Sequence, residues 1–167
     1  MNKSTKIIFL VIATATLCLF YFLLFMPKYR SVSNEKPFSE IVNKKLVTKV
    51  DIQILVNPEL PIDEQYIYHL EDGTSYGMNS ELEILAEIPV GTEFTIEKVE
   101  MHTGTVSGST TAYLFGQIFS EESQENYKFV YNWGNHHFLY EDEPYWTFEQ
   151  AFWQSEPLNQ KYFIATP

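Results

Sequence analysis

Chemistry in this chain would have to come from three groupings: an adjacent histidine pair, clusters of carboxylates, and a row of aromatics. His136-His137 has the ligand type of a transition-metal site. In a strand, however, neighbouring side chains point to opposite faces, so the pair does not converge on one ion. A metal site would need His69 or His102 and an acid to arrive from elsewhere in the fold. The plainer expectation is that one histidine packs beneath a sheet with its nitrogens hydrogen-bonded while the other faces water. No metal and no cofactor is expected.

The carboxylates cluster as Asp63-Glu64, Glu71-Asp72, Glu121-Glu122 and Glu141-Asp142-Glu143. Glycoside hydrolysis needs two acids facing each other across a cleft, one of them with a raised pKa. These clusters sit in sequence that reads as turns, where the side chains are expected to be hydrated and ionised. None follows the alternating order of a calcium loop. Nucleophilic catalysis has less to stand on. The lone cysteine, Cys18, lies in an apolar N-terminal run, and there is no Gly-x-Ser-x-Gly elbow. Val106-Ser-Gly-Ser109 reads as a hairpin tip of small residues. No catalytic residue is assigned.

Tyr127, Phe129, Tyr131 and Trp133 stand at every second position, so on one strand they share a face. Facing inward they form a bulky core; facing outward they form a docking surface, because Tyr and Trp give large contact area at low entropic cost. The residues expected to meet a partner are Tyr131, Trp133, His136, Glu141, Asp142, Glu143 and Trp146.

Charge indicates what such a partner would be. The chain has 167 residues with 11 Lys and Arg against 22 Asp and Glu. Residues 1–30 hold Lys3, Lys6, Lys28 and Arg30 and no acid, which leaves 7 basic and 22 acidic side chains in the other 137 residues, a formal −15. That balance argues against nucleic-acid binding, which needs a basic stripe, and favours a basic protein.

Ile7 to Met26 carries no charge. A helix of that length spans roughly 30 Å, the hydrocarbon thickness of a bilayer. The one small-x-small site, Ala13-Thr14-Ala15, lies inside the run with Cys18 to Met26 still to follow, which argues against cleavage. The expected organisation is a cytoplasmic tail (1–6), an uncleaved, single-pass transmembrane signal anchor (7–26), a polar stalk (27–36), and an acidic β-rich domain outside the cytoplasm (37–167).

That domain reads as short strands joined by hairpin-length links. Val50, Ile52, Ile54 and Val56 alternate with Asp51, Gln53 and Leu55 before Asn57-Pro58-Glu59-Leu60-Pro61 breaks the pattern. Further strands are expected at 66–70, 82–88, 94–101, 112–119, 127–133, 136–140 and 162–165. A phase shift between Ile96 and Val99 predicts a bulge. Pro89 to Thr92 predicts a type II turn with Pro and Gly at its centre. Short helices are expected over 38–45 and after Thr147, whose Gln150 completes a capping box. The fold class is therefore mainly β, a small antiparallel barrel or sandwich. Ile88-Pro-Val-Gly-Thr-Glu-Phe-Thr-Ile-Glu-Lys-Val99 resembles the turn-and-strand unit of bacterial SH3-like barrels, which implies a small barrel and carries no function with it.

The expected function is a membrane-anchored binding module of the bacterial envelope, of the kind represented by an immunity-type inhibitor of a basic toxin or hydrolase. The alternatives are an accessory subunit of an envelope membrane complex and a cell-wall glycan hydrolase working through paired carboxylates.

Overall fold

The computed structural model describes residues 3–25, 28–56, 63–73, 83–105 and 107–167. The break expected at Asn57–Pro61, Leu82 at the start of its strand, Val106 and the Met26-Pro27 junction lie outside them. Helix α1 (Lys3–Phe25) is followed by strands β1 (Lys28–Ser31), β2 (Lys45–Val47), β3 (Ile52–Val56), β4 (Tyr68–Glu71), β5 (Ile84–Ile88), β6 (Glu93–Thr103), β7 (Thr110–Ser120), β8 (Glu125–Asn132), β9 (Asn135–His137), β10 (Tyr145–Phe148) and β11 (Leu158–Tyr162). The protein is mainly β, as the alternating patterns require.

The larger sheet runs β1-β6-β7-β8-β4-β3-β5, and β2 pairs with β6 as well. Its pairs are antiparallel except β4 with β8, where Tyr68 lies opposite Phe129 and His69 opposite Val130 in parallel register. The expected all-antiparallel sheet is thus a mixed one. β5 and β6 stand five strands apart, which in a flat sheet is about 24 Å. Only Pro89 to Thr92 joins them, and four linking residues reach no more than roughly 17 Å between strand ends. The sheet must therefore curl back on itself, and β5 comes up to β7. The bulge expected in β6 falls between Ile96 and Lys98. Beside it, Gly116 lets β7 approach: a Cβ there would lie 2.5 Å from the Thr95 carbonyl oxygen and 2.7 Å from the Phe129 ring.

In the turn after β5, Thr92 N–H donates to the Pro89 carbonyl, so Val90 and Gly91 are the central residues. Pro89 sits one place earlier than expected, while Gly91 supplies the positive φ (92°) that a type II turn needs at its third residue.

The aromatic row faces inward. Tyr127, Phe129, Tyr131 and Trp133 are all buried, in one cluster with Phe38, Phe94, Trp146, Phe148, Phe152 and Trp153. The smaller sheet, β11-β10-β9, contributes Trp146 and Phe148 to this cluster. Its burial alternates along β10, with Trp146 and Phe148 inward, so Thr147 is a strand residue and the helix expected there does not form. Period-2 burial of two large aromatics outweighs a capping box. The other expected helix is reduced to a single 3-10 turn, Phe38–Glu40.

Residues 28–31 are not a free stalk. They form β1, paired with β6 from Lys28 opposite Thr103 to Ser31 opposite Glu100. Val32 follows as a buried core residue. Arg30 donates to the Ala165 carbonyl and to Glu35, 2.5 Å in each case, which fastens β1 to both neighbouring segments. The sheet therefore includes residues from Lys28, three positions after the last residue of α1.

In α1 the side chains described from Ile8 to Tyr21 are exposed, with the Thr14 and Thr16 hydroxyls bonded back to the Leu10 and Ile12 carbonyls. That stretch is about 21 Å of helix. No helix among the described residues is long and apolar enough to cross a membrane.

Candidate functional site

Sheet register builds the candidate site. Glu71 on β4, Gln53 on β3 and Glu87 on β5 lie directly opposite one another, so one row of the sheet carries two carboxylates flanking an amide. Their neighbours Leu70, Ile54 and Ala86 point the other way, into the core. At this end of the sheet the β5–β6 turn with the start of β6, and the β7–β8 turn, line the same cleft and add Glu93, Glu121 and Glu122. The result is a cleft of about 1030 Å³ lined by Asp51, Glu71, Glu87, Glu93, Glu121 and Glu122, with no Lys, Arg or His among its described lining residues. The stretch of sequence between Gly73 and Glu83 contains a further acid, Glu81, and no base.

Some of these charges already have partners. Glu93 pairs with Lys45 at 2.9 Å on the surface. Asp51 accepts the Val90 N–H at 3.0 Å and so braces the turn. Glu71 is buried and bonded to His69 Nε2 at 2.7 Å. Glu87, Glu121 and Glu122 form no side-chain ion pair among the described residues, and they are the charges open to a ligand.

Behind the cleft wall, Asp72 is also buried and accepts the Tyr131 hydroxyl at 2.5 Å. Burial, then the adjacent Asp72 charge, push the Tyr131 hydroxyl pKa far above its ordinary value, so the tyrosine remains a neutral donor. Glu71-Asp72 is therefore not a hydrated turn pair, as its sequence suggests. It is part of the sheet and its core.

A second charged cluster lies on β6. Lys98 bridges Asp63 at 2.7 Å and Glu100 at 2.9 Å and sits 4.5 Å from the centre of the Phe115 ring. The hydrogen bond from Lys98 holds the Asp63 carboxyl below its usual range. Burial pushes Glu100 the other way, but the bonds from Lys98 and His102 prevail and lower it. Tyr66, packed edge-on against Phe115, donates to Glu97. Every member of this cluster has a partner, so it serves to hold the Tyr66 loop on the sheet.

The residues expected to meet a partner are divided by the fold. Tyr131, Trp133 and Trp146 are buried and offer no surface. Glu141, Asp142 and Glu143 are exposed on the β9–β10 connection. Trp146 is brought together with His136, whose ring stacks on it at 4.7 Å and on Phe138 at 5.1 Å. His137 points to the other face, stacks on Tyr145 and bonds Thr147. Both histidines are half-buried, and His136 Nδ1 is buried with no hydrogen-bond partner, so the expectation of one satisfied and one solvated histidine does not hold. Burial, then His137, lowers the His136 pKa. Among the described residues no three His, Cys, Asp or Glu side chains converge as metal ligands.

Sequence reasoning did not single out Asp51, Glu87 or Glu93, and read Glu71 and Glu121-Glu122 as solvated turns. What groups them is the β4-β3-β5 order, which no local pattern encodes. Comparison with family models, with curated proteins and with solved structures gave no match. Fold and cleft together define this chain as a mainly β protein with a mixed, curled sheet and an acidic cleft at one end of it.

Proposed function

We propose that this chain is a membrane-tethered binding module of a bacterial envelope that receives a basic protein partner in its acidic cleft, as an immunity-type inhibitor would. One observation carries the reading: a cleft of about 1030 Å³ lined by six carboxylates, with no basic side chain among its described lining residues. Such a concentration of one sign focuses the field and accelerates encounter with a cation-rich surface.

The tether is the charge-free run Ile7 to Met26, read as a single-pass anchor with residues 1–6 in the cytoplasm and the domain outside. Support for this arrangement comes from the positions of the two ends of β6. Thr103 lies beside Lys28, where the chain leaves α1, and Glu93 lines the cleft. They are the last and first residues of an eleven-residue strand, roughly 33 Å apart. On this reading a tether joined near Lys28 would leave the cleft at the far end of β6, with the acids away from an anionic lipid surface.

The test is affinity capture from the native host with the full chain and with the double variant Glu87→Lys/Glu122→Lys, each eluted by a salt step. A basic protein held by the first, released by salt and absent from the second is the expected result. Equal capture by both would overturn the reading. Carbonate extraction of the native chain tests the tether separately: release into the soluble fraction would exclude an anchor.

A further inference from the structure

We propose that the basic partner enters as an extended segment that adds, as a further strand of the large sheet, to the edge of β5 that no described strand pairs. This rests on the acidic-cleft reading above and specifies the form of the partner. β5 is the last strand of the sheet: it pairs with β3 on one side, and no described strand pairs with it on the other. An unpaired edge presents a row of N–H and C=O groups that an incoming strand can satisfy.

Along this edge runs a groove. The acidic cleft continues into a second depression of about 330 Å³, and the two share Glu87 and Glu122 as walls. Between them they are lined by all five residues of β5, with the β7–β8 turn as the opposite bank. At about 3.4 Å per residue, five residues give a seat of roughly 17 Å, long enough for an extended segment to lie along β5.

The side chains offered are of two kinds. Glu87, Glu121 and Glu122 supply charge without side-chain ion-pair partners of their own among the described residues, while Ile84 is 51% exposed and Phe119 is 46% exposed. A strand in which Lys or Arg alternates with aliphatic residues complements both. Main-chain hydrogen bonds would supply affinity and the acids would supply selectivity and direction.

The experiment uses the full chain in a zwitterionic detergent and, as probe, an eight-residue peptide alternating lysine and valine. Affinity is read by fluorescence anisotropy and backbone engagement by amide hydrogen exchange. The expected result is salt-sensitive binding, weakened about tenfold or more by Glu87→Lys/Glu122→Lys. It includes exchange slowed about tenfold or more in Ile84–Ile88, with the β1 and β11 edges unaffected. Binding that depends on charge but leaves β5 exchange unchanged would overturn strand addition and leave the acidic-cleft reading standing. No binding at low salt, or binding indifferent to salt and to the charge reversal, would overturn both.

Discussion

Tyr131 and Asp72, 59 residues apart in sequence, meet as a buried hydroxyl–carboxylate pair at 2.5 Å, and through them the aromatic core is bonded to the back of the acidic cleft. Tyr131→Phe keeps the ring, which packs against Phe152 and Trp153, and removes one donor from a buried carboxylate. The expected loss is about 1–3 kcal/mol in urea unfolding, or several degrees in Tm for a chain of this size. A variant as stable as the parent would show that this bond contributes nothing net.

Lys98 makes part of the stability depend on acid. Asp63 and Glu100 have folded pKa values below their ordinary values of 3.8 and 4.5. Their stabilising contribution is therefore present above those ordinary values and is lost as the pH falls through the lower folded ones. Lys98→Met removes the largest cause of the Asp63 depression and one of the two side-chain bonds that lower Glu100. The difference in urea midpoint between parent and variant is expected to be largest near neutrality and to shrink on titration through the carboxyl range to about pH 2. A difference constant with pH would mean that the stem of Lys98, packed on Phe115, matters and its charge does not.

Three glycines should rank by what surrounds them. Gly134 has φ 107°, and a Cβ there would lie 2.6 Å from the Phe148 ring. Gly116 would meet the Thr95 carbonyl at 2.5 Å. Gly91 has φ 92° but nothing within 4 Å. Substitution by alanine is expected to cost about 1 kcal/mol at Gly91, from conformation alone. It should cost more at Gly116, where backbone must shift, about 1–3 kcal/mol, and most at Gly134, which combines both penalties. Thermal unfolding of the three variants checks the order.

Arg30→Ala should loosen β1 without unfolding the domain. It deletes the bonds to Ala165 and Glu35, both partly exposed, so global stability should fall by less than about 1 kcal/mol. Amide exchange at position 30 and at Val32, whose N–H groups face β6, should rise by roughly tenfold. Unchanged exchange there would mean that pairing with β6 suffices to hold the strand.

Local periodicity carried most of the fold. The aromatics of β8 were legible as one face because their spacing matches the pleat, and the β6 bulge because a phase shift has no other simple cause. Thr147 to Gln150 misled because the cap signal is local while the burial of Trp146 and Phe148 is tertiary. Lys28 to Ser31 read as stalk because an edge strand needs few apolar residues; its place is fixed by β6. The cleft was the least legible part. Glu71, Gln53 and Glu87 become neighbours only through strand order, and a charged residue in sequence looks the same whether it faces water or a groove.

The short passage from α1 into β1 also sets a mechanical direction. If the helix is held at a surface and a partner is gripped at the far end of β6, tension between them runs along the strands. The four β1–β6 register pairs, Lys28 with Thr103 through Ser31 with Glu100, would then be strained in parallel and would have to slide together. A ladder pulled in that direction resists in concert, whereas one peeled from an end opens rung by rung. The same short edge strand would thereby act as the clasp through which a captured partner stays attached.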